Sequence, residues 1–183
     1  MSPTRTRRIG GSRTAAPRPS SSFPQREGAS AKQLLMFELM RARAAVLSAV
    51  QGLTASSAGE PIAAGAWSVR EILLHLITRD QARLREMEAA LRGAMPSWHG
   101  ITGDGWAKIN AASLAPLARH DWEQTLRLLH RTRALLVEEI ESVPEESEAW
   151  RPPHAFAWMM GELPPHDRHH AEQIKRWRAT RGV

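Results

Sequence analysis

The chain has 183 residues, of which 42% are hydrophobic and 24% are charged, a composition typical of one folded domain with some length to spare. It contains no cysteine, which excludes disulfides, thiolate metal ligands and a cysteine nucleophile. No apolar stretch is long enough to span a membrane, and no apolar segment follows the basic N-terminus as in an export signal, so we expect a cytoplasmic protein without a membrane partner.

The net charge of +6 is concentrated at the N-terminus. Residues 1–30 contain six arginines and one acidic residue, so +5 of the +6 falls there and +1 on residues 31–183. The segment is rich in Ser, Pro, Thr and Gly, with too few large apolar residues to offset the ordering of its backbone. We predict a disordered basic tail over 1–30. Phosphate binding by the tail is an alternative to a solubilising role, which we favour, and no specific nucleic-acid partner is expected.

The sequence of residues 31–183 predicts only helices, because apolar residues recur at helical spacing and no segment alternates apolar with polar residues at period two. Ser68 with Glu71 and Asp121 with Gln124 form capping boxes, which mark two helix starts. The expected helices cover about 30–52, 68–93, a short piece at 106–114, 121–144, and a last helix that ends near 178.

The connections between these helices are also marked in the sequence. A polar linker is expected over 54–60, and a glycine-rich loop over about 93–105. Pro164 and Pro165 predict a helix start or a kink just before the last helix. Four main helices in about 150 residues predict an all-α four-helix bundle.

Three of the eight histidines lie in the run His166-Asp167-Arg168-His169-His170. Positions i and i+4 on a helix share one face, so His166 and His170 can bind a single metal ion. His169 competes for this role at i+3, but we favour a solvent-facing or outer position for it. A third ligand must come from another helix, and His75, among leucines in the middle of the second helix, is the candidate. Its offset from the centre of that helix's apolar stripe places it near the flank of the bundle by periodicity alone.

The segments GAWSVREILLH, residues 65–75, and HDRHHAEQI, residues 166–174, resemble the DinB-like (DinB/YfiT) superfamily of metal-dependent enzymes. The resemblance implies an up-down-down-up four-helix bundle. It also implies a divalent metal ion held by one histidine eight residues after the tryptophan and by two from an H-x-x-x-H in the last helix, which are here His75, His166 and His170. Family members with an assigned role act mostly as thiol-dependent transferases or isomerases, and many are described simply as metal-dependent hydrolases.

A divalent ion at such a site, Zn, Ni, Fe or Mn, can activate water or a low-molecular-weight thiol such as bacillithiol, mycothiol or glutathione. Because the chain has no cysteine, the thiol would have to be a cosubstrate. The resemblance therefore implies a thiol-dependent S-transferase or a hydrolase that acts on a small molecule. The alternative is a non-catalytic bundle that binds a ligand or a protein partner, with a vestigial metal site. A homodimer also suits a small bundle.

Other residues have a functional and a structural interpretation. Asp80 is a candidate acceptor near the metal or a base, although a lone acid on a helix is usually solvated, which we favour. The seven tryptophans are expected to fill the core rather than stack on bases. Core filling is also favoured over a pocket above the metal for Trp106, Trp158, Met159 and Met160. The remaining histidines, expected at the surface or in local hydrogen bonds, are His99, His120, His130 and His154.

Overall fold

Four long helices form the body of the protein, which a computed structural model describes over residues 28–182. They are α1 (Ala31–Val50), α3 (Val69–Leu91), α5 (Trp122–Ser142) and α7 (Leu163–Arg181). Three shorter helices connect them: α2 (Ala55–Ala58), α4 (Asp104–Leu114) and α6 (Ala155–Gly161). The all-helical prediction is confirmed over this range. The predicted tail, residues 1–30, lies outside it apart from its last three residues.

The helix ends lie close to where the capping residues predict them. Ser68 Oγ accepts the Glu71 N–H at 3.2 Å, and Glu71 Oε2 accepts the Ser68 N–H at 2.8 Å, so the capping box opens α3. Asp121 and Gln124 form an equivalent capping box at the start of α5. Gly52 follows α1 with φ +79°, a conformation that the missing Cβ permits.

The proline pair begins a helix and does not kink one. α6 ends at Gly161 and α7 begins at Leu163, so Pro164 and Pro165 lie in the first turn of α7. Proline is tolerated there because the N–H groups of a first turn have no acceptor within the helix. The predicted linker at 54–60 differs from expectation in one respect, since it contains the short capped helix α2.

Hydrogen bonds between helices establish the up-down-down-up order. Lys32 at the start of α1 donates to the Val143 carbonyl at the end of α5 at 2.7 Å, so these two helices are antiparallel. Arg70 at the start of α3 donates to the His120 carbonyl just before α5 at 2.7 Å, so α3 and α5 are parallel. Arg178 in the last turn of α7 donates to the Ala49 carbonyl near the end of α1 at 3.0 Å, which makes the outer pair parallel as well.

Two apolar clusters fill the interior, one toward each end of the bundle. The first combines the second half of α1 with the first half of α3 and the second half of α7. The second combines the first half of α1 with the second halves of α3 and α5 and with α6. All seven tryptophans belong to these clusters or pack against them, which confirms their predicted role in the core: Trp67, Trp98, Trp106, Trp122, Trp150, Trp158 and Trp177.

Between the two clusters, each long helix contributes one member of a set of four buried charged residues. These residues are Arg43 of α1, Asp80 of α3, Arg133 of α5 and Asp167 of α7, and none is more than 7% exposed. Within the described range, no helix combines the length and the apolar character needed to cross a lipid bilayer.

The capping box of α3 gives a direct test of the fold. Ser68→Ala removes the oxygen that accepts the Glu71 N–H, and we expect it to lower the free energy of unfolding by about 1 kcal/mol. Urea denaturation followed by circular dichroism measures the change. Ser142→Ala is the matched control, because Ser142 Oγ only donates to the Glu139 carbonyl and caps no N–H. Equal stability of the two variants would contradict the assigned start of α3.

Candidate metal centre

Three histidine side chains meet between α3 and α7. His75 comes from the middle of α3, and His166 and His170 lie one turn apart on α7. The Nε2 atom of His166 is 3.0 Å from Nε2 of His75 and 3.2 Å from Nε2 of His170. One nitrogen of each ring lies within 4.8 Å of the others, so the three are placed where they could hold a metal ion.

The structure buries His75, whereas periodicity placed it near the flank of the bundle. The side chain is only 5% exposed. The expectation was wrong because every residue from Ile72 to Asp80 is buried, so this part of α3 has no solvent-facing side. α3 contacts α4, α5, α6 and α7, and a helix surrounded in this way does not follow the one-face rule.

A neighbouring amide sets the tautomer of one ring. His170 Nδ1 lies 2.7 Å from Gln173 Oε1, and because a carbonyl oxygen only accepts, Nδ1 carries the proton. The lone pair of the neutral ring is then on Nε2, which faces His166. The Nδ1 atoms of His75 and His166 are buried and have no hydrogen-bond partner among the described residues. The ring of Trp67, which precedes the cap of α3, lies 4.9 Å from the ring of His75.

Burial keeps these imidazoles neutral. It lowers the pKa of His75 to about 3, and the nearby charges of His170, Arg79 and Arg83 act in the same direction. It lowers the pKa of His170 to about 4 and that of His166 further still. All three rings are therefore neutral at pH 7, which is the form that binds metal ions.

The other histidines lie apart from this centre. His169 is exposed on α7, as favoured from the sequence, although its ring is 5.2 Å from that of His170. His99 and His130 are exposed as well. The remaining two make local hydrogen bonds, as expected: His120 with the Leu117 carbonyl and His154 with the Phe156 N–H.

A cavity of about 330 Å³ opens beside the histidines. It is lined by the 62–67 loop, by Ile72 and by His170 and Gln173. A space of this size accommodates a small organic molecule. Met159 and Met160, the alternative lining residues from the sequence, are fully buried in the second apolar cluster, which confirms that they fill the core.

Asp80 belongs to a closed network of ion pairs, and the expectation that it is solvated was wrong. Its carboxylate receives two hydrogen bonds from Arg133, at 2.7 and 3.0 Å, and one from Arg43 at 3.1 Å. Asp167 Oδ2 lies 3.0 Å from Arg43 Nε and 3.2 Å from Arg133 Nη2. Each aspartate therefore bridges both arginines, and the four charges sum to zero.

The spacing of apolar residues in the sequence already indicated this network, because it assigns two arginines to core positions. Arg43 stands between Leu39 and Val46, at the spacing of apolar core residues. Arg133 stands in the same way between Leu129 and Leu136. A charge at a core position of one helix requires an opposite charge on another helix. The spacing therefore identifies buried charges, but it does not specify which residues pair.

A family model described as the DinB superfamily matches residues 38–174. A solved structure described as "Sibling Lethal Factor Precursor - DfsB" matches with a TM-score of 0.68 and 16% identity, over 85% of this chain and 98% of that chain. An uncharacterised protein from Escherichia coli UTI89 matches with a TM-score of 0.67 and 11% identity, over 85% and 96%. At these identities the likeness shows the fold alone. No protein of curated function matches the chain.

The ion network predicts a large effect of a single truncation. Asp80→Ala leaves the buried guanidinium groups of Arg43 and Arg133 short of a carboxylate, and we expect a loss of about 3–5 kcal/mol in unfolding free energy. Denaturation in urea measures it, with Asp80→Asn as a second variant that keeps an oxygen acceptor and loses less. Glu88→Ala, which removes an exposed ion pair with Arg92 on the same helix, should cost less than about 1 kcal/mol. A loss at Asp80 as small as at Glu88 would refute the network.

Proposed function

The chain belongs to the DinB superfamily, and from this we propose that it is a metal-dependent enzyme whose ion is held by Nε2 of His75, His166 and His170. The observation that supports the proposal is the convergence of these three nitrogens, two of them 3.0 Å apart, on the buried side of α7.

The residues present fit a divalent ion of the first transition series. Their donor set is three neutral nitrogens, which suits Zn, Ni, Fe and Mn. The hydrogen bond from His170 Nδ1 to Gln173 leaves the correct nitrogen free, as is usual for histidine ligands. Three protein ligands also leave coordination positions for a substrate, the arrangement typical of catalytic rather than structural sites.

Held by His75, His166 and His170, such an ion would supply a nucleophile at neutral pH, from water or from a thiol. The cavity beside His170 admits a small molecule, and Trp67 and Ile72 give it an apolar wall. Because the chain has no cysteine, a thiol would be a low-molecular-weight cosubstrate. The proposed activities are therefore S-transfer from such a thiol, or hydrolysis.

Metal content tests the site directly. Tag-free protein, reconstituted in turn with Zn, Ni, Mn and Fe, should contain about one ion per chain by elemental mass spectrometry. His75→Ala, His166→Ala and His170→Ala should each lose it, whereas His169→Ala, an exposed histidine on the same helix, should retain it. Absence of bound metal in the wild type, or its retention in any of the three ligand variants, would disprove the assignment.

Turnover is tested separately on the metal-loaded protein. The assay combines bacillithiol, mycothiol or glutathione with electrophiles, and it includes esters and amides without thiol. Activity that disappears in His166→Ala supports the enzyme. One bound ion with no turnover in any assay would favour a metal-binding bundle without catalysis.

Gln173 should control metal affinity without being a ligand. Gln173→Leu removes the acceptor for His170 Nδ1–H, and we expect metal affinity to fall by about 10–100-fold, because outer partners orient histidine ligands. Competition with a chromophoric chelator measures the affinity. Gln173→Glu restores an acceptor and should recover most of it. The matched control is Glu172→Gln, a neighbouring exposed residue, which should leave the affinity unchanged. Unaltered affinity in Gln173→Leu would contradict the assigned tautomer.

A further inference from the structure

The buried charges of the described residues do not balance. Four arginines and two aspartates are buried there: Arg43, Arg79, Arg83, Arg133, Asp80 and Asp167. The two aspartates are fully engaged with Arg43 and Arg133 in the neutral network. Arg79 and Arg83 form no ion pair within residues 28–182, which leaves a surplus of two positive charges inside the bundle. Buried charges are normally paired, so this surplus requires an explanation.

Arg79 is held between two indole rings and is not bonded to any acid. Its guanidinium carbon lies 5.4 Å from the ring centre of Trp98 and 5.1 Å from that of Trp106. The residue is only 7% exposed, and its buried Nε–H has no hydrogen-bond partner among the described residues. Contact with aromatic faces offsets part of the loss of hydration, but it supplies no oxygen acceptor.

Arg83 reinforces the positive charge beside Arg79. Its Nε donates to the Met159 carbonyl at 3.1 Å and its Nη1 to the Arg79 carbonyl at 3.2 Å, so the side chain is fixed in place. Burial lowers its pKa to about 10, and the guanidinium therefore stays protonated at pH 7. Both of these acceptors are carbonyl oxygens, which do not neutralise its charge.

Both arginines lie next to the candidate metal centre. His75, Arg79 and Arg83 are spaced four residues apart on α3, which places them along one side of the helix. A divalent ion at the histidines would add to this positive charge, so it would strengthen the attraction of Arg79 for an anion without being required for its binding.

We propose that Arg79, held by Trp98 and Trp106 and supported by Arg83, binds the anionic oxygen group of a small-molecule substrate or cosubstrate, a carboxylate or a phosphate. The planar fork of a guanidinium matches both groups. This inference rests on the proposed function for its chemistry, since it names the substrate class of the same site. Of the two rings that cover Arg79, that of Trp106 is only half-buried, and α4, which carries it, contributes no buried residue, so a ligand would enter from that side.

The test is anion binding by the full-length protein, first stripped of metal with a chelator and then loaded with metal. The probes are inorganic phosphate and succinate, titrated into ¹⁵N-labelled protein. The Arg79 Nε–H resonance, assigned by its absence from the Arg79→Lys spectrum, should shift saturably with at least one probe in both samples. In Arg79→Lys, followed at the indole N–H resonances, affinity should fall at least about tenfold, because lysine keeps the charge but loses the fork.

Arg127→Gln is the matched control, since it removes an exposed arginine of α5 and should bind the probes as the wild type does. A response to phosphate alone or to succinate alone identifies which group the site prefers. No saturable shift with either probe would overturn the proposal. So would binding that Arg79→Lys leaves intact, or binding that chelation or His166→Ala abolishes, because the anion would then be a metal ligand.

Metal content measured on the same samples separates this inference from the proposed function. Binding that depends on Arg79 in a protein that takes up no metal would sustain the anion site and refute the metal-dependent enzyme. One ion per chain without anion binding would refute the anion site alone. Circular dichroism of Arg79→Lys and Arg127→Gln confirms that both variants are folded.

Discussion

The ion network of Arg43, Asp80, Arg133 and Asp167 is the constraint on which the rest of the bundle depends. Removing four charges from water is costly, and the network is tolerable only while each charge keeps its opposite partners, because a buried charge without its partner is strongly destabilising. Each long helix contributes one member, placed between the two apolar clusters. Apolar packing alone allows helices to slide or rotate at small cost. The network removes that freedom, since a shift of any one helix would break bonds to two others.

The candidate metal centre follows from this fixed arrangement. Asp167 is the immediate neighbour of His166, and Asp80 lies five residues after His75. Once the aspartates are held by the arginines of α1 and α5, the height and rotation of α3 and α7 are set, and the histidines meet with their Nε2 atoms 3.0 Å apart. A site built on rigid helices in this way holds its ligands more accurately than one built on loops. The stability of the bundle and the geometry of the centre thus have a common origin.

Local sequence signals predicted the helices well, because capping and proline geometry act over a few residues. The boxes at Ser68 and Asp121 are examples. Long-range features were harder. Periodicity misplaced His75, because the rule assumes one buried face and α3 is enclosed from Ile72 to Asp80. Its leucine neighbours and the family resemblance selected that histidine, and periodicity did not. The partners of Asp80 and the roles of Gln173 and Arg79 depend on which side chains other helices bring near, and no pattern within a single helix contains that information.

The buried arginines of this protein fall into two pairs, which differ in whether they form ion pairs with a carboxylate. Arg43 and Arg133 have both aspartates as partners, so they are part of the framework and contribute no net charge. Arg79 and Arg83 form no ion pair among the described residues, although the two aspartates act on Arg83 at longer range, and both arginines follow His75 at four-residue spacing along α3. Such an arrangement weakens the binding of a cation when the site is otherwise empty, and it strengthens the binding of an anion. Because coupling between two ligands is reciprocal, an anion that neutralised Arg79 would also strengthen the binding of a metal ion at the histidines. On the proposed roles of the two groups, the charge surplus would favour the simultaneous presence of metal and anion over either one alone.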